Sequence, residues 1–346
     1  MAQTKLKTLI IGATGIVGQQ AMSILYKHPQ FEITALAASE KSSGKTYVDA
    51  ITQNSIRQWY AEGELPEQLS KMKLQAVNSL NPSDFDVVFS CVESDVAKVL
   101  EPRFAQYCAV ISTASAFRYE DDVPLIIPQV NPEHSKLIEK QRKNRKWKGF
   151  IAPIPNCTTT GLAISLKPLD DAFGLKEIIM TSMQAISGAG RSPGVAALDI
   201  IDNVIPFIQG EEEKVEKETQ KILGKNVAVS STCTRVPVLE GHTETVFAKF
   251  EHNPTPQEAA NAMQNFKCKT KTYSTPEQLI KVFTDPSRPQ PRLDRDTGNG
   301  LTTCVGRLRS DPVLGLKYVV LSHNTKMGAA AGAVWLAELL QQQGYI

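Results

Sequence analysis

Pro155-Asn156-Cys157 is followed at once by Thr158, Thr159 and Thr160 and then by an apolar helical pattern, which sets one thiol at the start of a helix. The first helical turn offers backbone N–H groups without intrahelical partners and the positive end of the macrodipole, and both favour a thiolate. Cys157 is therefore a candidate nucleophile, against the ordinary reading of a cysteine as a small buried apolar residue. A nucleophile of this kind needs a proton-transfer partner. Of five histidines only His242 has a suggestive setting, Arg235-Val236-Pro237-Val238-Leu239-Glu240-Gly241-His242-Thr243. Imidazole exchanges protons near neutrality, although a histidine beside a turn is more often structural. Arg235 can clamp a carboxylate through its planar fork or make a surface ion pair. If residues 239–241 close a simple hairpin, Arg235 and His242 face opposite sides of the sheet, so a shared site demands an irregular connection.

Further polar residues stand where elements end or begin. Gln184 closes an alternating stretch just before Ser187-Gly188-Ala189-Gly190; it can hydrogen-bond a reacting carbonyl, with the glycines leaving room for a nicotinamide, or merely end a strand. Arg118, in Ser115-Ala116-Phe117-Arg118, follows a short apolar run, where open parallel sheets carry ligand-binding loops. Glu211 and Lys214 open a charged helix over 211–218 that otherwise passes for a solvated face.

A second constellation lies at the N-terminus. An apolar run over 5–11 leads into Gly12-Ala13-Thr14-Gly15-Ile16-Val17-Gly18, and a helical pattern follows to residue 26. Strand, glycine turn and helix in that order suit a dinucleotide, whose pyrophosphate approaches the backbone at the helix N-terminus. The pattern departs from GxGxxG because Thr14 takes the middle position. After the second strand comes Ser39-Glu40-Lys41-Ser42-Ser43-Gly44-Lys45. Its hydroxyls and ammonium groups favour the 2′-phosphate of NADP, while Glu40 leaves NAD open.

These residues need a scaffold. Apolar runs at 31–38, 86–91 and 110–112, with helical stretches such as 94–107 between them, predict a parallel, doubly wound sheet. The basic segment 141–148 ends a helix beginning near Pro132 and reads as a solvated helix end. Beyond Cys157, longer alternating stretches at 177–185, 227–236, 243–251, 303–308 and 316–321 predict a largely antiparallel or mixed sheet. Helices are expected at 195–208 and 256–265, a long surface loop at 285–300, and a small-residue-rich helix at 325–343 that returns to the first domain.

With 346 residues, 42% of them hydrophobic, the chain can fill two cores. A formal charge of +2 creates no field that would suggest nucleic acid or a membrane surface, so small molecules are the expected partners. The six cysteines lack zinc-site spacing, so no metal is expected and a reducing cytoplasm fits. No apolar run approaches the roughly 18 residues that span a bilayer. The opening Lys5-Leu6-Lys7 and apolar run read as a buried strand and not a signal peptide.

Taken together, the glycine turn, Pro155-Asn156-Cys157-Thr158-Thr159, Gln184-Ala185-x-Ser187-Gly188, Arg235 followed by Gly241-His242-Thr243, and Asn324-Thr325-x-x-Gly328 resemble aspartate-semialdehyde dehydrogenases across essentially the whole chain. The form is closer to the fungal and archaeal branch. The resemblance implies an α/β protein with a Rossmann-like dinucleotide-binding domain, residues 1–155 completed by 325–346, and an α+β catalytic and dimerisation domain, 156–324. It implies NADPH-dependent reductive dephosphorylation of aspartyl 4-phosphate through a Cys157 thioester. His242 would move the proton, Gln184 would orient the acyl group, and amides at the Cys157 helix start are candidates for stabilising the oxyanion. Arg235 would hold the substrate carboxylate, Glu211 or a neighbouring glutamate its amine, and Arg118 and Lys214 the phosphate, with Asn156 also at the substrate. Gly12, Thr14, Gly15, Ile16, Val17, Ser39, Ser42, Ser187, Gly188 and Asn324 would line the cofactor, and the protein would be a homodimer or homotetramer. A related reductase of N-acetylglutamyl phosphate or malonyl-CoA is the nearest alternative. A thiol hydrolase or a nucleotide sensor leaves more of the motifs unexplained.

Overall fold

The computed structural model describes residues 4–189 and 197–346. The chain divides into two compact units, one comprising 1–126, 133–154 and 333–346, the other 127–132 and 155–332.

The first unit is built on six parallel strands in the spatial order Leu74–Ala76, Phe31–Ala38, Leu6–Ile11, Val87–Ser90, Ala109–Ser112 and Phe150–Pro153. Two of these, Leu74–Ala76 and Phe150–Pro153, add to the four expected from sequence. Both are too short to show a period, and Pro153 is tolerated because its strand lies at the sheet edge. Leu9, Ile11, Val88, Val110 and Ile151 stack with Phe104 of the Ser94–Ala105 helix into a core. Parallel strands covered by helices are buried on both faces, as the Val87–Ser90 and Ala109–Ser112 strands are at every position. The Ala331–Gln342 helix contributes Glu338, which meets His28 Nε2 at 2.9 Å with both side chains buried.

The second unit carries a mixed sheet in the order Ala228–Arg235, Leu175–Gln184, His242–Phe250, Gly315–Ser322, Thr303–Asp311 and Ile280–Val282. The first and last pairings are parallel and the three central ones antiparallel. Strands Ala228–Arg235 and His242–Phe250 are therefore not a hairpin. They flank Leu175–Gln184 on opposite edges, and their connection crosses its end, where Ile186 N donates to Val238 O at 2.8 Å. The Cys157–Phe173 helix packs on this sheet, and Gly161 lets it approach closely: a Cβ there would lie 2.7 Å from the Ser322 Cβ.

Three expected elements differ. The helix anticipated over 195–208 is seen at Ala197–Ile200, its first two residues lying outside the described region. Asp202, at φ 58°, ends it, and Ile205 then bridges Arg235. Within 285–300, short helices at Pro291–Asp294 and Thr297–Gly300 are ordered around buried Asp294, which receives Arg288 in a two-pronged ion pair. The final helix begins with a π-turn, Lys326–Ala330. Small side chains permit that wider turn; a Cβ on Gly332 would lie 2.2 Å from Met327 O.

Candidate active site

Asn156 is the N-cap of the Cys157–Phe173 helix. Its Oδ1 accepts from Thr158 N at 2.9 Å and Thr159 N at 3.2 Å, two of the donors a helix start leaves unpaired. Those amides are committed, which argues against their use as oxyanion donors. The three threonines serve the helix: all are buried, and Thr160 Oγ1 bonds back to Asn156 O at 2.9 Å. The remaining groups of Asn156 reach the Glu211–Leu223 helix, with Nδ2 donating to Glu211 Oε1 at 2.7 Å and the backbone N to Glu218 Oε2 at 2.6 Å.

Cys157 Sγ lies 3.2 Å from His242 Nε2. The imidazole is fully buried, and its other nitrogen, Nδ1, accepts from Ala185 N at 3.1 Å. Burial, then the charges of Arg235 and His323, push its pKa down to about 3. Arg235 is held by the same peptide region, Nη1 donating to Ala185 O at 2.8 Å, and burial lowers its own pKa. Because Arg235 is in register with Gln184 and Thr243 with Met183, Arg235 and His242 project to the side of the sheet that Gln184 occupies. No irregular hairpin is needed, since the two residues belong to strands on either side of a third.

Gln184 Nε2 lies 3.2 Å from Glu211 Oε1, so Glu211 gathers Asn156, Gln184 and, through Oε2 at 3.4 Å, Lys214. The three adjacent glutamates differ in surroundings. Glu211 is buried, Glu213 is exposed, and Glu212 Oε1 is occupied by Cys233 N at 3.0 Å. Ser187 and Gly188 form a 3₁₀ turn above the ring; a Cβ on Gly188 would stand 2.9 Å from Arg235 Nη1 and 3.0 Å from His242 Cε1. Gly190 lies outside the described residues. Asn324 ties two loops together, accepting from Gly241 N and donating to Ser187 Oγ, each at 2.8 Å.

The other sequence candidates belong to the first unit. Gly12 has φ 77°, and a Cβ there would fall 2.3 Å from Cys91 O; one on Gly18 would fall 2.3 Å from Gly12 O. Gly15 precedes the Ile16–Leu25 helix, whose start has no side-chain cap among the described residues, and Thr14, Ile16 and Val17 adjoin it. Ser39 is exposed and Ser42 half-buried just beyond the second strand. This cradle fits a dinucleotide phosphate. Arg118 is buried, with Nη2 donating to Thr113 O at 3.0 Å. Nearby Glu101 is pushed up to about 7 by burial, opposed by its Ser112 hydrogen bond and by Arg118.

Sequence reasoning missed the contacts of Glu218 and Ala185. Glu218 stands seven residues after Glu211, on the same helix face, and that spacing was a usable signal. Ala185 acts through its backbone, which no side-chain pattern reveals. Among the described residues, no group of three or more His, Cys, Asp or Glu is placed to hold a metal ion.

A dehydrogenase of the semialdehyde class is what these two units describe. The semialdehyde dehydrogenase NAD binding domain model matches residues 7–138, and its dimerisation domain model matches 166–327. The chain is 47% identical to the aspartate-semialdehyde dehydrogenase of Archaeoglobus fulgidus, over 97% of this chain and 98% of that one. It is 41% identical to that of Saccharomyces cerevisiae, over 97% and 98% respectively. A crystal structure of the Candida albicans aspartate semialdehyde dehydrogenase with NADP superposes with a TM-score of 0.88 at 40% identity, covering 99% of this chain and 100% of that one. The chain belongs to the aspartate-semialdehyde dehydrogenase family, and it is an oxidoreductase.

Proposed function

We propose that the protein catalyses NADPH-dependent reductive dephosphorylation of aspartyl 4-phosphate to aspartate 4-semialdehyde, with Cys157 as the acyl-accepting nucleophile. The observation that carries this reading is the Cys157 Sγ to His242 Nε2 contact at 3.2 Å, at a helix start capped by Asn156. A thiolate is stabilised there by the helix dipole and by an adjacent N–H donor. Attack on the acyl phosphate expels phosphate and leaves a thioester.

Glu211 carries the negative charge suited to the substrate amine, and Gln184 beside it suits the acyl group. Arg235, with Nη1 anchored on Ala185 O, presents its planar fork to the substrate carboxylate. Lys214 and Arg118 supply the cations for the phosphate, while Asn156 aligns Glu211 with the helix that bears the thiol. The cofactor is assigned to the Gly12–Gly18 turn, with Ser39 and Ser42 toward a 2′-phosphate and Ser187 and Gly188 toward the nicotinamide. Bound NADPH supplies the hydride. Asn324 acts at the cofactor side by holding Ser187 in place.

A homodimer or homotetramer is proposed, with one interface through the open face of the second sheet, where Ile179 is 47% exposed in mid-strand. All six cysteines are free, which suits a reducing cytoplasm. Among the described residues no helix is long and apolar enough to cross a membrane. The test is spectrophotometric: aspartate semialdehyde and NADP should yield NADPH only when phosphate is present. Absence of turnover, or turnover indifferent to phosphate, would refute the assignment.

A further inference from the structure

We infer that Tyr47 and Gln19 are positioning residues for the cofactor: they hold the Ala13 and Thr14 carbonyls inside the protein, so that the glycine turn offers an amide donor and not carbonyl oxygens to the dinucleotide pyrophosphate. The role rests on the placement of NADP at the Gly12–Gly18 turn. The Tyr47 hydroxyl, at the start of the short helix Tyr47–Ala50, donates to Ala13 O at 2.8 Å. Gln19, in the Ile16–Leu25 helix, donates through Nε2 to Thr14 O at 3.1 Å. Both side chains are fully buried.

The rest of the turn is held by its own backbone. Gly12 N and Ala13 N both donate to Ala37 O, at 2.9 and 3.2 Å, and Gly15 N donates to Gly12 O at 3.0 Å. The carbonyls of Gly12, Ala13 and Thr14 are thus all engaged, the last two by side chains. A trans peptide points its N–H opposite to its C=O. Fixing Ala13 O on Tyr47 therefore fixes the direction of the Thr14 N–H, which has no hydrogen-bond partner among the described residues. Thr14 is half-buried, so a ligand can reach that donor. Rotating the Ala13–Thr14 peptide would replace the donor by a carbonyl oxygen, which repels phosphate where an N–H attracts it.

The two clamps are themselves braced. Tyr60 N donates to Gln19 Oε1 at 2.6 Å. A backbone N–H can meet only the oxygen of that amide, which leaves the Gln19 NH₂ for Thr14 O and, at 2.9 Å, for Gln58 O. Trp59 packs edge-on against the Tyr47 ring, with centroids 6.4 Å apart, and its Nε1 is tied to Gly63 O at 2.9 Å. Burial pushes the pKa of the Tyr47 hydroxyl well up, so it stays a donor. A buried hydroxyl costs free energy unless it is paired, and phenylalanine would fill the same apolar space without that cost. What the hydroxyl adds is its bond to the turn.

The test is made on the full-length protein by binding. NADPH affinity is read by fluorescence. Displacement of NADPH then reads 2′-phospho-ADP-ribose, which keeps the pyrophosphate, and adenosine 2′-phosphate, which lacks it. In Tyr47→Phe the first two ligands should weaken about tenfold, the size of one lost hydrogen bond, while adenosine 2′-phosphate stays within about twofold of the parent. Gln19→Met, which keeps length and burial but donates nothing, should show the same split, and it decides the question if Tyr47→Phe does not fold. Unchanged NADPH affinity in a folded variant overturns the inference. An equal loss for all three ligands also overturns it, since that marks a general loosening of the domain, and so does failure of both variants to fold. A parent protein that binds neither NADPH nor 2′-phospho-ADP-ribose overturns the placement of the cofactor itself, and the inference with it.

Discussion

Glu244 has no assigned role in the chemistry, yet it is the most unusual acid in the second unit. Its side chain is 1% exposed, and Oε2 is buried without a hydrogen-bond partner among the described residues. It lies beneath the Cys157 helix, where a Cβ on Gly161 would come 3.6 Å from its Oε1. Desolvation raises its pKa well above the ordinary 4.5, so the folded protein holds it protonated while the unfolded chain ionises above that value. Stability from this residue is thus complete below pH 4.5 and is lost as the pH rises toward the folded pKa. Glu244→Gln cannot titrate. Melting temperatures of parent and variant, measured over a pH series, should diverge above pH 4.5, with the parent losing stability relative to Gln. Parallel curves would show that the carboxyl ionises normally in the fold.

Among the elements, the π-turn Lys326–Ala330 bears most directly on the thiol. A Cβ on Gly328 would lie 2.6 Å from the Cys157 Cβ and 2.8 Å from its Cα, closer than packed carbons come. Gly328→Ala must therefore push the Cys157 thiol off the line to His242. A displacement of about 1 Å costs about a hundredfold in well-positioned reactions. The expected result is a loss of kcat of that order, with cofactor affinity at the Gly12 turn unchanged in a fluorescence titration. Wild-type kcat would mean that the helix start relaxes around the added methyl group.

For the whole molecule, the interface proposed on the open face of the second sheet can be tested at its centre. Ile179 projects from the middle of the Leu175–Gln184 strand, opposite to Met180 and Ser182, which are buried beneath the helix. It pairs laterally with Phe247, and the nearby Lys249–Glu177 ion pair at 2.9 Å gives the patch a polar border. An apolar centre with a charged edge suits a self-complementary interface. Ile179→Lys should shift the protein to monomers in sedimentation velocity, without unfolding it. A dimer of unchanged stability would move the interface elsewhere.

Much of the site was legible because its chemistry is local. Asn156 caps the helix within three residues, so Pro155-Asn156-Cys157 carried both the element and the position of its thiol. The glycine turn was equally readable, because positive φ at Gly12 and the close approach of Gly18 are demands on single residues. Other features depend on partners far along the chain. That Arg235 and His242 project to one side of the sheet follows from the strand between them, and strand order in a mixed sheet is a product of long-range pairing that no spacing encodes. That Glu211 lies buried against Asn156 and Gln184, while Glu213 is exposed, is likewise a product of packing. The contact that orients the His242 ring came from a backbone amide at another strand's end, and side-chain identity says nothing about where such an amide will point.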